Sequence, residues 1–164
     1  MINALIYCLA VWIANYTATM FLPFPVFGMV SIGTLIFGVT FTQRDRVHQH
    51  GRRAVYLMIL VAAIGMVIES IILHVPYRII AASFTAIVIA EAADTEIYQR
   101  NIERSWVERV TRSNMVSIPL DSVLFNGIAF LGVFAPIMLA QIVFGEIVVK
   151  FLSGWIASLW KRQN

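Results

Sequence analysis

The sequence predicts an all-α integral membrane protein: one compact bundle of about six transmembrane helices, with residues 1–164 as a single transmembrane domain and both termini cytoplasmic. Three observations lead there. Hydrophobic residues make up 60% of the 164 positions and charged residues 13%, with a mean hydropathy of +0.82, more apolar surface than a soluble domain of this length needs. The apolar sequence is cut into blocks near the length of one bilayer crossing, roughly 20 residues each, so the chain holds about six with little left over. The basic residues fall between the blocks, where they set membrane orientation.

The first block runs from about Ile2 to Leu22 and stops at Pro23-Phe24-Pro25, because proline cannot continue a helix and restrains the residue before it. No Lys or Arg precedes it, and it is long for the apolar core of a signal peptide, so it reads as a retained span. Span two covers about Val26 to Thr42 and ends in a polar loop, Gln43 to Arg53. Span three runs from about Ala54 to Leu73, followed by a brief loop from His74 to Arg78. Span four, about Ile79 to Ala93, is short and rich in alanine, which allows close helix approach. The segment Thr95 to Arg112 mixes arginine with glutamate and reads as an amphipathic stretch along the membrane surface. Span five runs from near Ser113 to about Phe134, with Pro119 expected to kink or break its first turns. Span six runs from about Ile137 to Trp160 and finishes with Lys161-Arg162.

Of the twelve Lys and Arg, all but Arg78 and Lys150 lie in the second loop, the fourth loop or the C-terminal tail. That asymmetry puts both long loops and both termini in the cytoplasm; Lys150, past the middle of span six, is expected to snorkel toward the same side. Tyr77, Trp106, Trp155 and Trp160 near block ends read as interfacial anchors. The pI near 9.4 follows from these loop residues and does not indicate a nucleic-acid partner. A single cysteine, Cys8, rules out an intrachain disulfide and a multi-cysteine metal site. His48 and His50, two residues apart, read as part of a solvated basic loop and not as metal ligands, and neither metal nor cofactor is expected.

A carboxylate in or near hydrocarbon is expensive, so those placed there are candidates for function. Asp121 leads into the apolar start of span five, Glu91 and Asp94 close span four, Glu146 sits in the middle of span six and Glu69 near the outer end of span three. Glu91 and Asp94 share one helix face by their spacing, as do Asn114, Ser117 and Asp121. The structural alternative is a set of ion pairs joining helix ends, Arg112 with Asp94 or Arg44 with Asp121. Glu146 is the candidate proton site of a coupled carrier.

The runs Phe41-Thr42-Gln43-Arg44-Asp45, Ala90-Glu91-Ala92-Ala93-Asp94-Thr95 and Arg112-Ser113-Asn114 with Ser117, Asp121-Ser122 and Phe125 resemble the signatures of the queuosine-precursor transporter family, also called the vitamin-uptake transporter family. The resemblance covers roughly Phe37 to Phe130. It implies a multi-pass protein of the bacterial inner membrane that imports 7-cyano-7-deazaguanine, the precursor of the tRNA base queuosine; the chain's compact form leaves another deazapurine open as cargo. The residue types suit such a ligand independently. A guanine-like edge offers two adjacent donors to one carboxylate, for which Glu91, Asp94 and Asp121 are candidates. The base carbonyl wants a donor, which Asn114, Ser113 or Arg112 would supply, and a flat heterocycle wants aromatic faces such as Phe84 or Phe125. Ser83 and Ser117 add hydroxyls, and Arg44, Asp45 and Arg112 fit gating or structural ion pairs.

Two modes of transport follow. One is a stand-alone secondary carrier; the other is a substrate-binding subunit docked on an ATP-driven module, for which Ala10, Ala14 and Ala18 form a small-residue stripe on span one. Internal packing is the plainer use of that stripe. A homo-oligomer is the other protein partner left open, beside membrane lipid. An enzyme is not expected, since no nucleophile-and-base motif occurs.

Overall fold

The structure, a computed structural model, describes residues 2–24 and 28–161, with side chains through Ile156. Pro25 and Val26, the expected turn and start of span two, lie outside the described residues, as do Arg162 and the side chains of Trp160 and Lys161. The order is α1 (Ile2–Tyr16), β1 (Phe21–Phe24), β2 (Gly28–Ser31), α2 (Ile32–Val47), a 3-10 turn (His48–His50), α3 (Arg52–Ile72), α4 (Tyr77–Arg100), α5 (Trp106–Phe130) and α6 (Pro136–Lys161). Among the described residues the regular structure is thus helical apart from one short antiparallel hairpin, in which Phe21 pairs with Ser31 and Phe24 with Gly28.

The hairpin corrects the expected boundaries. Span one ends at Tyr16, not Leu22, because the Thr17 hydroxyl donates to the carbonyl of Ile13 at 2.7 Å and the next amides fold back in turns, Ala18 to Asn15 and Met20 to Thr17. Span two starts at Ile32, not Val26. Ser31 begins it from the side: its hydroxyl accepts from the Gly33 amide and donates to the Ala18 carbonyl at 3.0 Å, satisfying an orphan donor of the first turn and tying α2 to the end of α1.

The segment Thr95 to Arg112 is not a separate amphipathic element. Helix α4 continues to Arg100, and after a turn at Asn101–Ser105 helix α5 begins at Trp106. The reason is a buried stripe that keeps a four-residue period through α4: Ala82, Ala86, Ala90, Asp94 and Tyr98 are all buried. Ser105 and Glu108 start α5 with a reciprocal capping box, which satisfies two free amides. Pro119 falls more than three turns into α5, and the helix runs through it unbroken.

The helices alternate in direction. At one end His48 meets Gln99 at 2.9 Å and Arg52 meets Glu96 at 3.2 Å; at the other the Arg78 guanidinium donates to the carbonyl of Ile128 at 2.6 Å, and His74 turns the chain in the left-handed region at φ 53°. The α1–α3 interface is packed with Tyr7, Val11, Val55, Met58, Ala62 and Met66. On the other side of α3, Leu57, Leu60, Ile64, Ile68 and Ile71 are each half exposed or more. A helix in water would present polar residues there, so this face suits lipid. Two helices, α3 and the Pro136–Ile156 part of α6, are long and apolar enough to cross a membrane; α1 and α2 are shorter, and α4 and α5 are more polar because their inner faces carry the site.

Candidate functional site

Helix α2 delivers Arg44 to the interior, where it is 1% exposed. Its Nη1 donates to Glu91 Oε2 at 2.8 Å, and its Nη2 lies 2.8 Å from Asp94 Oδ2 and 3.4 Å from Asp45 Oδ1. From α5, Ser117 donates its hydroxyl to Asp94 Oδ1 at 2.6 Å. One guanidinium thus ties α2 to α4, and Asp94 carries the tie on to α5. Arginine suits this place because its fork serves several carboxylate oxygens at once.

A second buried cation sits on α6. Lys150, expected to snorkel, is 2% exposed and enclosed: its Nζ donates to Asp121 Oδ2 at 2.7 Å, Ser122 Oγ at 2.9 Å and Glu146 Oε2 at 3.4 Å, and it stands 4.3 Å from the centre of the Phe37 ring. Asn126 donates to the same Glu146 oxygen at 2.9 Å. The snorkelling expectation fails because two carboxylates and a ring face on the inside outbid a long reach to the interface. The Glu146–Lys150 pair, four residues apart in an apolar helix, is the signal that could have revealed it.

Between the two clusters lies a pocket lined by all of α1, α2, α4, α5 and α6. Glu91, Asp121, Glu146 and Lys150 give it charge; Asn15, Ser31, Thr34, Thr40 and Ser83 give it polar rim; Phe37 and Phe125 give it ring faces. It extends from the level of Glu91 and Lys150 to Ala18 and Ser31 beside the hairpin. Its volume is about 60 Å³ to the centres of water-sized spheres, room for about four waters; a bicyclic ligand requires the walls to part. Asn15 is fixed at the far wall, its amide donating to Ser70 at 2.8 Å and its carbonyl accepting from Ser83 at 2.6 Å.

Among the described residues the buried acids Asp45, Glu91, Asp94, Asp121 and Glu146 outnumber the buried bases Arg44 and Lys150. At the pocket wall itself three carboxyl groups, Glu91, Asp121 and Glu146, stand against one ammonium, Lys150, an arrangement that favours donor-rich or cationic ligands over anions. No three of His, Cys, Asp and Glu are grouped to hold a metal ion among the described residues.

The residues singled out from sequence separate into groups. Glu91, Asp121 and Phe125 line the pocket, and so does Glu146. Asp94, Ser117 and Asp45 are buried behind it in the Arg44 cluster. Asn114 is also buried, and a Cβ on Gly154 would meet its amide nitrogen at 3.2 Å, which places it against α6 beyond the pocket lining. Phe84 is 43% exposed on the outer face of α4, because Ala82, Ser83 and Ala86 take the inner face. Arg112 is exposed, and the two expected pairs are replaced: Asp94 pairs with Arg44, and Asp121 pairs with Lys150. Asn15, Ser122, Asn126 and Lys150 were missed as site residues. His48 is buried, not solvated; it bonds Gln99 and faces the Tyr98 ring at 4.4 Å. Burial lowers its pKa from 6.5. His50 is exposed. The alanine stripe points inward, with Ala10 and Ala18 buried.

A family model described as "Putative vitamin uptake transporter" matches residues 31–160, a stretch that runs from the start of α2 to the last turn of α6 and includes all three motifs. The chain belongs to the vitamin uptake transporter family. Membership makes it a membrane protein with a small-molecule cargo, in keeping with the two membrane-capable helices. No curated protein matches the chain, and no solved structure does.

Proposed function

We propose that this vitamin uptake transporter is a single-domain, six-span protein of the bacterial inner membrane that imports a queuosine precursor as a stand-alone secondary carrier, with 7-cyano-7-deazaguanine the favoured cargo. The observation that carries the reading is the meeting of Glu91 and Asp121, from different helices, on one pocket flanked by Phe37 and Phe125. Each carboxylate accepts from a cation on one side and faces the cavity on the other. A guanine-like edge, with two adjacent donors and no net charge, suits an acid-rich pocket that disfavours anions. Phe37 takes the stacking role first expected of Phe84, beside Phe125. Asp94, Asn114 and Ser117 hold the binding helices together behind the site.

Membership of the transporter family and the three sequence motifs support the cargo class. The stand-alone mode is favoured over a docked subunit because the alanine stripe is engaged within the bundle: a Cβ on Gly33 would run into the Ala14 carbonyl.

The test is queuosine formation in a bacterial strain lacking its own precursor synthesis and transporter, supplied with 7-cyano-7-deazaguanine. Asp121→Asn and Glu91→Gln should remove queuosine while the protein remains in the membrane, since an amide presents a donor where the ligand needs an acceptor, a mismatch of about 1–3 kcal/mol. Full queuosine levels in both variants would take these residues out of the site.

A further inference from the structure

The ammonium of Lys150 uses all three of its N–H donors inside the pocket, on Asp121, Ser122 and Glu146. Asp121 is also the carboxylate assigned to the donor edge of the cargo. The two cannot share the same oxygen without crowding, and the pocket in its present form has space for only a few waters. Lysine, a flexible stem ending in a compact charge, can withdraw where arginine would stay forked in place. On withdrawal it keeps two partners: Glu146 one helical turn away on α6, and the face of Phe37.

Resting on the carrier reading above, we propose that Lys150 is a tethered stand-in for the cargo: it neutralises Asp121 when the carrier is empty and yields that carboxylate when cargo enters. The consequence concerns the transport cycle. Carrying a carboxylate that has neither a hydrogen-bond donor nor a counter-ion through the middle of a membrane protein is costly. The N–H edge of the neutral cargo donates to Asp121 in the loaded step, and the ammonium of Lys150 donates to it in the return of the empty carrier. Net uptake needs that return; exchange of cargo for cargo does not.

Lys150→Met in proteoliposomes separates the two. The quantity read is the ratio of net uptake to exchange of labelled 7-cyano-7-deazaguanine. In mildly alkaline medium the ratio should fall by roughly tenfold or more relative to wild type. In mildly acidic medium it should recover, because a proton can take the place of the ammonium. The charged groups facing that position are Asp121 from α5, Glu146 on α6, and Glu91 from α4 with Arg44 from α2 behind it; α1 contributes the uncharged Asn15 and, buried beside Glu91, Tyr7. Lys150→Gln, which keeps N–H donors without the charge, should show a smaller fall than Lys150→Met. Net uptake and exchange falling together, with an unchanged ratio at both pH values, overturns the stand-in role and leaves a structural clamp. The same conclusion follows if neither neutral variant can be obtained folded. A wild-type protein that neither exchanges nor accumulates this base overturns the carrier reading itself, and this inference with it.

Discussion

At His48 the chain carries a titratable ring in a place built for its neutral form. Burial is the main cause of its lowered pKa, with Arg44 nearby acting in the same direction and the Gln99 hydrogen bond opposing. A histidine whose folded pKa lies below its unfolded value contributes stability that is present above the unfolded pKa, 6.5, and is lost as pH falls through the folded value. Thermal unfolding in detergent should therefore show a loss of stability on acidification from neutral pH, and His48→Gln should flatten that part of the profile. An unchanged profile in His48→Gln would assign the acid sensitivity to other groups. Residue by residue, the acidic half of the site was legible because a carboxylate in an apolar span has few structural excuses; Asp121, Glu91 and Glu146 all reached the pocket wall. The basic half was only partly legible: Arg44 reads as an ion-pair residue but its partners are Glu91 and Asp94 in place of Asp121, and Lys150 reads as snorkelling although its Glu146 neighbour lies one turn away. Lys150 and Arg44 owe their positions to partners 29 and 47 residues away along the chain, distances over which sequence spacing carries no information.

At the scale of elements, α1 and α2 are in close backbone contact where α2 begins. Gly33 is buried against the backbone of Ala14, and a backbone atom cannot rotate aside. Gly33→Ala should therefore force the helices apart, with a loss of about 1–3 kcal/mol seen as a lower melting temperature, whereas Gly127→Ala, which meets nothing within 4 Å, should be neutral or slightly stabilising. Equal melting temperatures for the two variants would show that α1 and α2 do not pack this closely. The number and order of helices could be read from the sequence, since proline, glycine and charge punctuate the apolar blocks. The hairpin was hidden because the apolar run across Phe21–Ser31 has no period that favours strand over helix. The union of the surface segment with α4 and α5 was hidden because its charges masked the buried four-residue stripe that ends in Asp94 and Tyr98.

For the whole molecule, alternating helices put the N-terminus, the 3-10 turn His48–His50 and the turn Asn101–Ser105 at one end, and the hairpin and the α3–α4 turn at the other. Besides the buried Arg44, seven arginines, among them Arg46, Arg53, Arg100 and Arg104, belong to the segments at or next to the first end, so that end is the cytoplasmic one in the proposed topology. Single cysteines replacing Gln49 or Glu103 in a Cys8→Ser background should be shielded from an impermeant maleimide in intact cells, while Val75→Cys should react; labelling of Gln49→Cys from outside would refute six spans in this orientation. The pocket, reaching toward the hairpin end, then faces the side from which an imported base arrives. The central claim is that this one chain moves a deazapurine by itself, and purified protein in liposomes measures it directly. Labelled 7-cyano-7-deazaguanine should be accumulated or exchanged with neither ATP nor any partner protein present. Liposomes that bind the base but move it only after an energising complex is added would contradict the account.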